Sequence, residues 1–126
     1  MNPFRKIKPE TFLRLGLGAM FAYSGYDIFT HPTAWHWAII RMPQFLQEPI
    51  RQLGEVNYLK FQGAGELIVA FLFLAWFVPR RIVKWVAALV SLEMILILWL
   101  VGVTGETFRD FGVLGAALAL AVIYSR

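Results

Sequence analysis

The sequence predicts an all-α integral membrane protein, a four-helix bundle with an amphipathic outer segment between helices 1 and 2. Hydrophobic residues make up 59% of the 126 residues and charged residues only 16%, whereas about a quarter of an average soluble domain is charged. Four long apolar stretches follow one another along the chain. The length suits one domain, which we expect to cover residues 1–126.

Each apolar stretch has the length of about 20 residues that a helix needs to cross about 30 Å of hydrocarbon. We place the spans at residues 11–29, 58–78, 82–103 and 107–124. Turn-forming residues follow the first three spans, at Pro32, Pro79 and Thr104. The second and third turns are short, which predicts that spans two, three and four pack as antiparallel neighbours.

The segment at residues 31–57 is too polar to cross a membrane, but it carries two apolar clusters. These are Trp35, Trp37, Ile39 and Ile40, then Phe45, Leu46, Ile50 and Leu53. Pro32 is suited to open a first short helix, and Pro43 separates it from a second. We predict a broken amphipathic cap that lies in the outer membrane interface.

The basic residues flank the spans and predict the orientation of the chain. With the N-terminus inside, eight basic residues lie on the inner side: Arg5, Lys6, Lys8, Arg14, Arg80, Arg81, Lys84 and Arg126. Four lie on the outer side: Arg41, Arg51, Lys60 and Arg109. We therefore predict a multi-pass protein of the cell inner (plasma) membrane with both termini in the cytoplasm. The net charge of +4 comes with no nucleic-acid-binding motif, so we expect the lipid bilayer as its partner.

Each span carries an acidic residue at a depth where lipid tolerates none. These residues are Asp27, Glu66, Glu93 and Asp110. An ionisable group at the centre of a membrane costs about 2.5–3.5 kcal/mol on insertion scales, so it normally faces a partner or water. Because a helix rises about 1.5 Å per residue, we expect the acids to lie with Lys60 and Arg109 in the outer half of the bundle. The sequence thus predicts a polar site there.

The candidate catalytic residues of this site are Glu66, Glu93, Arg109 and Asp110. The candidate ligand-binding residues are Asp27, Lys60, Gln62, Tyr23 and Tyr26. Gln62 shares a helix face with Glu66, and Tyr23 shares one with Asp27. A structural ion pair of a glutamate with Arg109 or Lys60 is the alternative to a functional role, and Asp27 and Asp110 near the interface are as compatible with simple hydration as with function.

The chain contains no cysteine, which excludes disulfides, Cys-held iron–sulfur clusters and Cys-based zinc sites. His31 and His36 fall in the outer segment, where we expect them to be solvated or to cap helices. We predict no metal site and no intrinsic cofactor, because no metal-ligand or nucleotide-loop spacing is present. We predict that the small residues on the spans serve close helix packing: Gly18, Ala22, Gly25, Gly63, Gly65, Gly112, Gly115, Ala116 and Ala119.

Five segments of the chain form a further pattern. They are Arg14-Leu-Gly-Leu-Gly, Phe21-Ala-Tyr-Ser-Gly25, His31-Pro-Thr-Ala-Trp35, Gly65-Glu66-Leu67 and Phe108-Arg109-Asp110-Phe-Gly112-Val-Leu-Gly115. Together they resemble the DoxX-like four-helix membrane proteins, over nearly the whole chain. The resemblance implies the membrane fold, and it implies a small subunit or anchor of a quinone-linked oxidoreductase whose redox centre a partner subunit brings.

On this hypothesis, Arg109 and Lys60 donate to a quinone carbonyl or an anionic ligand, and Glu66 or Glu93 relays protons. Tyr23 and Tyr26 shape the apolar approach. Quinone is the one cofactor implied, and whether the chain is itself catalytic stays open. Two alternatives remain: a non-catalytic scaffold or assembly factor, and a small proton-coupled transporter acting as a homo-oligomer.

Overall fold

The computed structural model describes residues 7–105 and 107–126, so Arg5 and Lys6 of the predicted basic N-terminus lie outside the described residues. The described residues are almost all helical and include no strand, which confirms the predicted all-α class. Four helices are long: α1 Pro9–Thr30, α4 Glu55–Leu74, α5 Arg80–Leu100 and α6 Asp110–Ser125. Two short helices, α2 His36–Ile40 and α3 Gln44–Leu53, connect α1 to α4.

The long helices coincide with the four predicted spans, and the differences are at their ends. Helix α4 begins three residues earlier than predicted, because Gly54 at φ 92° breaks the preceding helix just before Glu55. It ends at Leu74 rather than 78, where Ala75 turns to an extended backbone with ψ 119°. Helix α6 begins at Asp110 rather than 107, since residues 107–109 form a 3₁₀ turn.

The long helices pack as two antiparallel pairs, α1 with α4 and α5 with α6. The first pair comes closest at two glycines. A Cβ atom on Gly63 would lie 2.8 Å from the carbonyl oxygen of Gly25 and 2.7 Å from the backbone nitrogen of Phe29. The predicted small-residue packing is therefore confirmed at Gly25 and Gly63. It is wrong at Gly65, Gly112 and Gly115, where a Cβ atom would meet nothing within 4 Å.

The apolar core lies between the two pairs and draws on all four long helices. Its largest fully buried side chains are Phe21, Phe73, Val83, Val90 and Leu120. The rings of Phe21 and Phe73 lie 6.3 Å apart between centroids, a separation typical of packed aromatic pairs. The core thus joins the two helix pairs through side-chain packing.

The segment between α1 and α4 forms the predicted broken cap. Pro32 opens a 3₁₀ turn over Pro32–Trp35, and Pro43 precedes α3. Ile39 and Ile50 are buried in a second apolar cluster with Ile28 and Leu59 of the long helices. The Gln47 amide donates to the carbonyls of Ile40 and Met42, at 3.2 and 2.6 Å, and so satisfies the end of α2.

Basic side chains hold the opposite end of the molecule together. Arg80 lies 3.9 Å from the carboxylate of Glu10, and its guanidinium carbon lies 4.6 Å from the ring centre of Tyr124. Arg14 donates to the carbonyls of Phe73 and Ala75, each at 2.8 Å. The start of α1, the end of α4, the start of α5 and the end of α6 therefore share one end, which we call the basic end. The cap lies at the other, which we call the cap end.

Large apolar side chains cover much of the surface of the long helices. Trp76 is 88% exposed near the basic end, whereas Phe61 and Trp99 are 80% and 78% exposed toward the cap end. Soluble monomers rarely expose extended apolar patches. Two helical stretches, Arg80–Leu100 and Thr107–Ser125, are long and apolar enough to cross a membrane.

Candidate functional site

Three carboxyl groups from three helices lie in the half of the molecule nearer the cap. Glu66 belongs to α4, Glu93 to α5 and Asp110 to the first turn of α6, and each lies close enough to the others for their charges to interact. The Glu66 residue is buried, with 8% of its surface exposed. We call these three residues the carboxyl cluster. It joins the two helix pairs, since Glu66 lies in one pair and the other two acids lie in the second.

Neutral side chains donate to two of the three carboxyl groups. The Ser24 hydroxyl donates to Glu66 Oε2 at 2.8 Å, and the Gln62 amide donates to Glu93 Oε1 at 3.0 Å. Tyr58 also lies close enough to Glu93 to interact with its charge. The sequence analysis identified Gln62 but missed Ser24 and Tyr58. The four-residue spacing of Tyr58, Gln62 and Glu66 was the signal for Tyr58, because such residues share a helix face.

Lys60 and Arg109 were expected beside the acids, but in the described residues neither forms an ion pair with the carboxyl cluster, so the alternative of a structural ion pair has no support there. Lys60 is exposed, and its Nζ lies 5.9 Å from the centre of the Phe29 ring. Arg109 is exposed too, with its guanidinium 5.8 Å from the Phe108 ring. No ion pair within 4 Å links either of them to an acid in the described residues. The reason is angular, since a helix turns about 100° per residue and Lys60 therefore projects from another face than Glu66.

Asp27 ties α1 to the cap instead of facing the cluster. Its Oδ2 atom accepts a hydrogen bond from the Trp35 indole at 2.9 Å, and its Oδ1 atom lies 3.6 Å from Nδ1 of His31. The side chain is 37% exposed. A structural role with partial hydration, one of the alternatives considered for Asp27, therefore accounts for its contacts.

The two histidines lie at the surface of the cap. His31 is exposed and its backbone N–H donates to the Asp27 carbonyl at the end of α1, and the His36 ring is paired with Glu55. Both positions match the predicted solvated or helix-capping roles.

Tyr23 and Tyr26 project outward from α1. They are 78% and 63% exposed, so they do not enclose the carboxyl cluster as predicted for the approach to the site. Phe21 and Gly25 occupy the inward face of the same helix and are buried. Both tyrosines therefore face away from the interior of the bundle.

A threonine turn fixes the position of Asp110. The backbone N–H of Thr107 donates to the Thr104 hydroxyl at 3.0 Å, and that of Thr104 donates to the Thr107 hydroxyl at 2.7 Å. The Thr107 hydroxyl also donates to the carbonyl of Gly102. This reciprocal arrangement resembles a capping box, which sets the direction in which a helix begins. Asp110 follows directly and begins α6, close enough to Glu93 for their charges to interact.

Arg109 lines an apolar groove of about 330 Å³ between α1 and α6. Small residues, Gly16, Gly112 and Ala116, make the floor of this groove shallow, while Phe12 and Met20 are among its apolar walls. The groove therefore presents one cationic group beside an otherwise apolar surface.

Acidic groups that lie close together repel one another when charged, and a bound proton relieves that repulsion. In the described part of the chain, no group of three His, Asp or Glu side chains is placed to hold a metal ion.

Comparisons with known protein families, curated proteins and solved structures give no match to this chain.

Proposed function

We propose that this chain is a DoxX-like membrane protein whose four long helices span the inner (plasma) membrane as a bundle. Two of these helices meet the length and hydropathy requirements of a span, and exposed Trp76 and Trp99 near opposite ends suit the two membrane interfaces. Lys8, Arg80 and Arg81 at the basic end favour a cytoplasmic location for that end, with the cap outside.

Within the membrane, we propose that the chain is a proton-handling subunit of a quinone-linked oxidoreductase assembly. The carboxyl cluster carries this proposal, because its donors are a serine and a glutamine rather than a cation. Ionisable groups inside a membrane commonly form proton relays. Reduction of a quinone takes up protons as well as electrons. A partner subunit supplies the electrons, and Glu66 and Glu93 pass the protons.

The groove beside Arg109 is the proposed quinone site. A quinone has an apolar ring and tail with two carbonyl oxygens, which suits an apolar groove with a guanidinium donor at its side. Lys60 has no place in this site, because it lies on Phe29 away from the groove.

Infrared spectroscopy tests the proton-handling role directly. The purified protein in lipid vesicles is titrated with base, and the carbonyl stretch of protonated carboxylic acids is followed in H₂O and D₂O. We expect a band from the carboxyl cluster that Glu66→Gln removes or shifts. Glu48→Gln is the matched control, since Glu48 is exposed on the cap. A spectrum without such a band, or one that Glu66→Gln leaves unchanged, would contradict the proposal.

Purification in a mild detergent tests the assembly. We expect mass spectrometry to find a quinone together with a flavin-, haem- or cluster-bearing subunit. Arg109→Gln should reduce the retained quinone, whereas Arg41→Gln on the cap should not. A homo-oligomer with no such companion would instead favour the scaffold or the proton-coupled transporter.

A further inference from the structure

A second cavity, of about 320 Å³, opens at the basic end of the molecule. Lys8, Arg14, Arg80 and Glu10 line it, together with the aromatic side chains of Trp76 and Tyr124. It lies at the opposite end from the carboxyl cluster, and neither the proton-handling role nor the quinone groove uses it.

The cations of this cavity differ in their free hydrogen-bonding capacity. Arg14 is engaged by the carbonyls of Phe73 and Ala75 at 2.8 Å each. Arg80 lies 3.9 Å from Glu10, well beyond the about 2.7–2.9 Å of a charge-assisted hydrogen bond. Lys8 is exposed and forms no ion pair with a described acid. Lys8 and Arg80 therefore retain donors for an anion.

Apolar surface adjoins these donors on the membrane-facing side. Leu15 and Leu74 line the same cavity, and Trp76 beside them is 88% exposed. A free anion would leave this apolar wall in contact with water, whereas an amphipathic anion covers it. The chemistry of the cavity therefore matches a ligand with a phosphate group and an acyl chain.

We propose that this cavity binds the phosphate of an anionic phospholipid, such as phosphatidylglycerol. The proposal rests on the membrane location argued above, but it is independent of the quinone and proton roles. Anionic lipids are abundant on the cytoplasmic surface, where each nearby lysine or arginine strengthens binding. Lys8 and Arg80 hold the phosphate, and the acyl chain lies along Leu15 and Trp76.

Native mass spectrometry of the full chain in a neutral detergent tests this site. Phosphatidylglycerol or phosphatidylcholine is added at increasing concentration, and the lipid-bound fraction is measured. We expect the protein to prefer phosphatidylglycerol. Lys8→Gln should weaken that binding about five-fold, the effect of one surface cation. Glu10→Gln should strengthen it, since it removes the one carboxylate of the cavity.

Lys84→Gln is the matched control, because it removes the same charge from the same end. Lys84 packs 5.0 Å from the centre of the Trp85 ring and does not line the cavity. Its phosphatidylglycerol binding should equal that of the wild type. Equal binding of both lipids, or equal weakening by the two lysine variants, would overturn the proposal.

Inorganic phosphate separates a lipid site from a site for free anions. We expect it to compete weakly with phosphatidylglycerol, because it cannot cover the apolar wall. Binding of inorganic phosphate with no preference for phosphatidylglycerol would overturn the lipid assignment. The carboxyl band of the infrared experiment does not depend on Lys8, so failure of one proposal is distinguishable from failure of the other.

Discussion

Ser24 shows how much a single hydroxyl contributes to an interior acid. Its hydrogen bond of 2.8 Å to Glu66 connects α1 with α4, and the acid is largely removed from solvent. A buried acceptor that loses its donor retains the cost of desolvation without the compensating bond. The serine is therefore a determinant of the site, although a lone serine in an apolar stretch gave no sign of this in the sequence.

We expect Ser24→Ala to lower the free energy of unfolding by about 1–3 kcal/mol, because it leaves Glu66 without this donor. Thermal unfolding of the purified protein in detergent measures the change. Ser125→Ala is the matched control. Its hydroxyl is exposed and bonds only the carbonyl of Ala121 in its own helix, so its effect should stay within about 0.5 kcal/mol. Equal effects of the two substitutions would show that the Ser24 bond contributes nothing specific.

The cations show which part of a site the sequence leaves undetermined. Counting residues along a helix gives the level of a side chain, and on this basis Lys60 and Arg109 were expected beside the acids. The face depends on the rotation of each helix against its neighbours, and here α1 and α4 meet with Gly25 packed on Gly63. All four acids were expected together in the outer half. Glu66, Glu93 and Asp110 lie close enough for their charges to interact, whereas Asp27 bonds Trp35 of the cap.

At the scale of the elements, α1 and α4 depend on two glycines where their backbones meet. The 2.8 Å between a Cβ on Gly63 and the Gly25 carbonyl leaves no room for any side chain. The obstruction is backbone on the facing helix, which cannot rotate away as a side chain can. Small residues allow such close approach in membrane helices.

We expect Gly63→Ala to separate α1 from α4 and to lower stability by about 1–3 kcal/mol, as overpacking typically does. Chemical denaturation in mixed detergent measures the loss. Gly65→Ala, two residues further on, meets nothing within 4 Å. It should be neutral or stabilise the helix by up to about 1 kcal/mol, because alanine favours helices. The idea fails if both variants lose stability to the same extent.

The helix bounds show what the length of the apolar stretches predicts and what it leaves undetermined. Apolar length alone located all four long helices, since each approaches the length of a membrane span. Their ends depend on particular contacts. Arg14 binds the carbonyls at the end of α4, and the Thr104–Thr107 turn delays the start of α6. The periodicity of the apolar residues does not indicate which residues make these contacts.

At the scale of the whole molecule, the charges are divided between the two ends. The basic end gathers Lys8, Arg80 and Arg81, and the cap end is stabilised by Asp27 with Trp35. The sequence predicted eight basic residues on the inner side and four on the outer side, and this orientation stays a prediction. The short turns predicted that spans two, three and four pack as neighbours, and α5 does pack on α6. Helix α4 packs mainly on α1 instead of α5, across the intervening cap, and the sequence did not indicate that pairing.

Cysteine labelling tests the orientation, since the chain has no native cysteine. We expect Arg41→Cys to react with a membrane-impermeant maleimide on intact cells. Arg81→Cys should react only after the membrane is opened, because it lies at the basic end. The reverse pattern would invert the orientation. Labelling of both from one side of an intact membrane would contradict the four-span arrangement.

The acids of the carboxyl cluster are divided between the two helix pairs, so their charge affects how the pairs pack. Glu66 belongs to the pair of α1 and α4, whereas Glu93 and Asp110 belong to the pair of α5 and α6. Repulsion among these acids, when they are ionised, opposes the packing of the two pairs, and the hydrogen bond from Gln62 to Glu93 holds the pairs together. Each proton gained by these acids reduces the repulsion between the two helix pairs, and each proton lost increases it. We therefore expect the separation of the two helix pairs to depend on how many protons the acids between them hold.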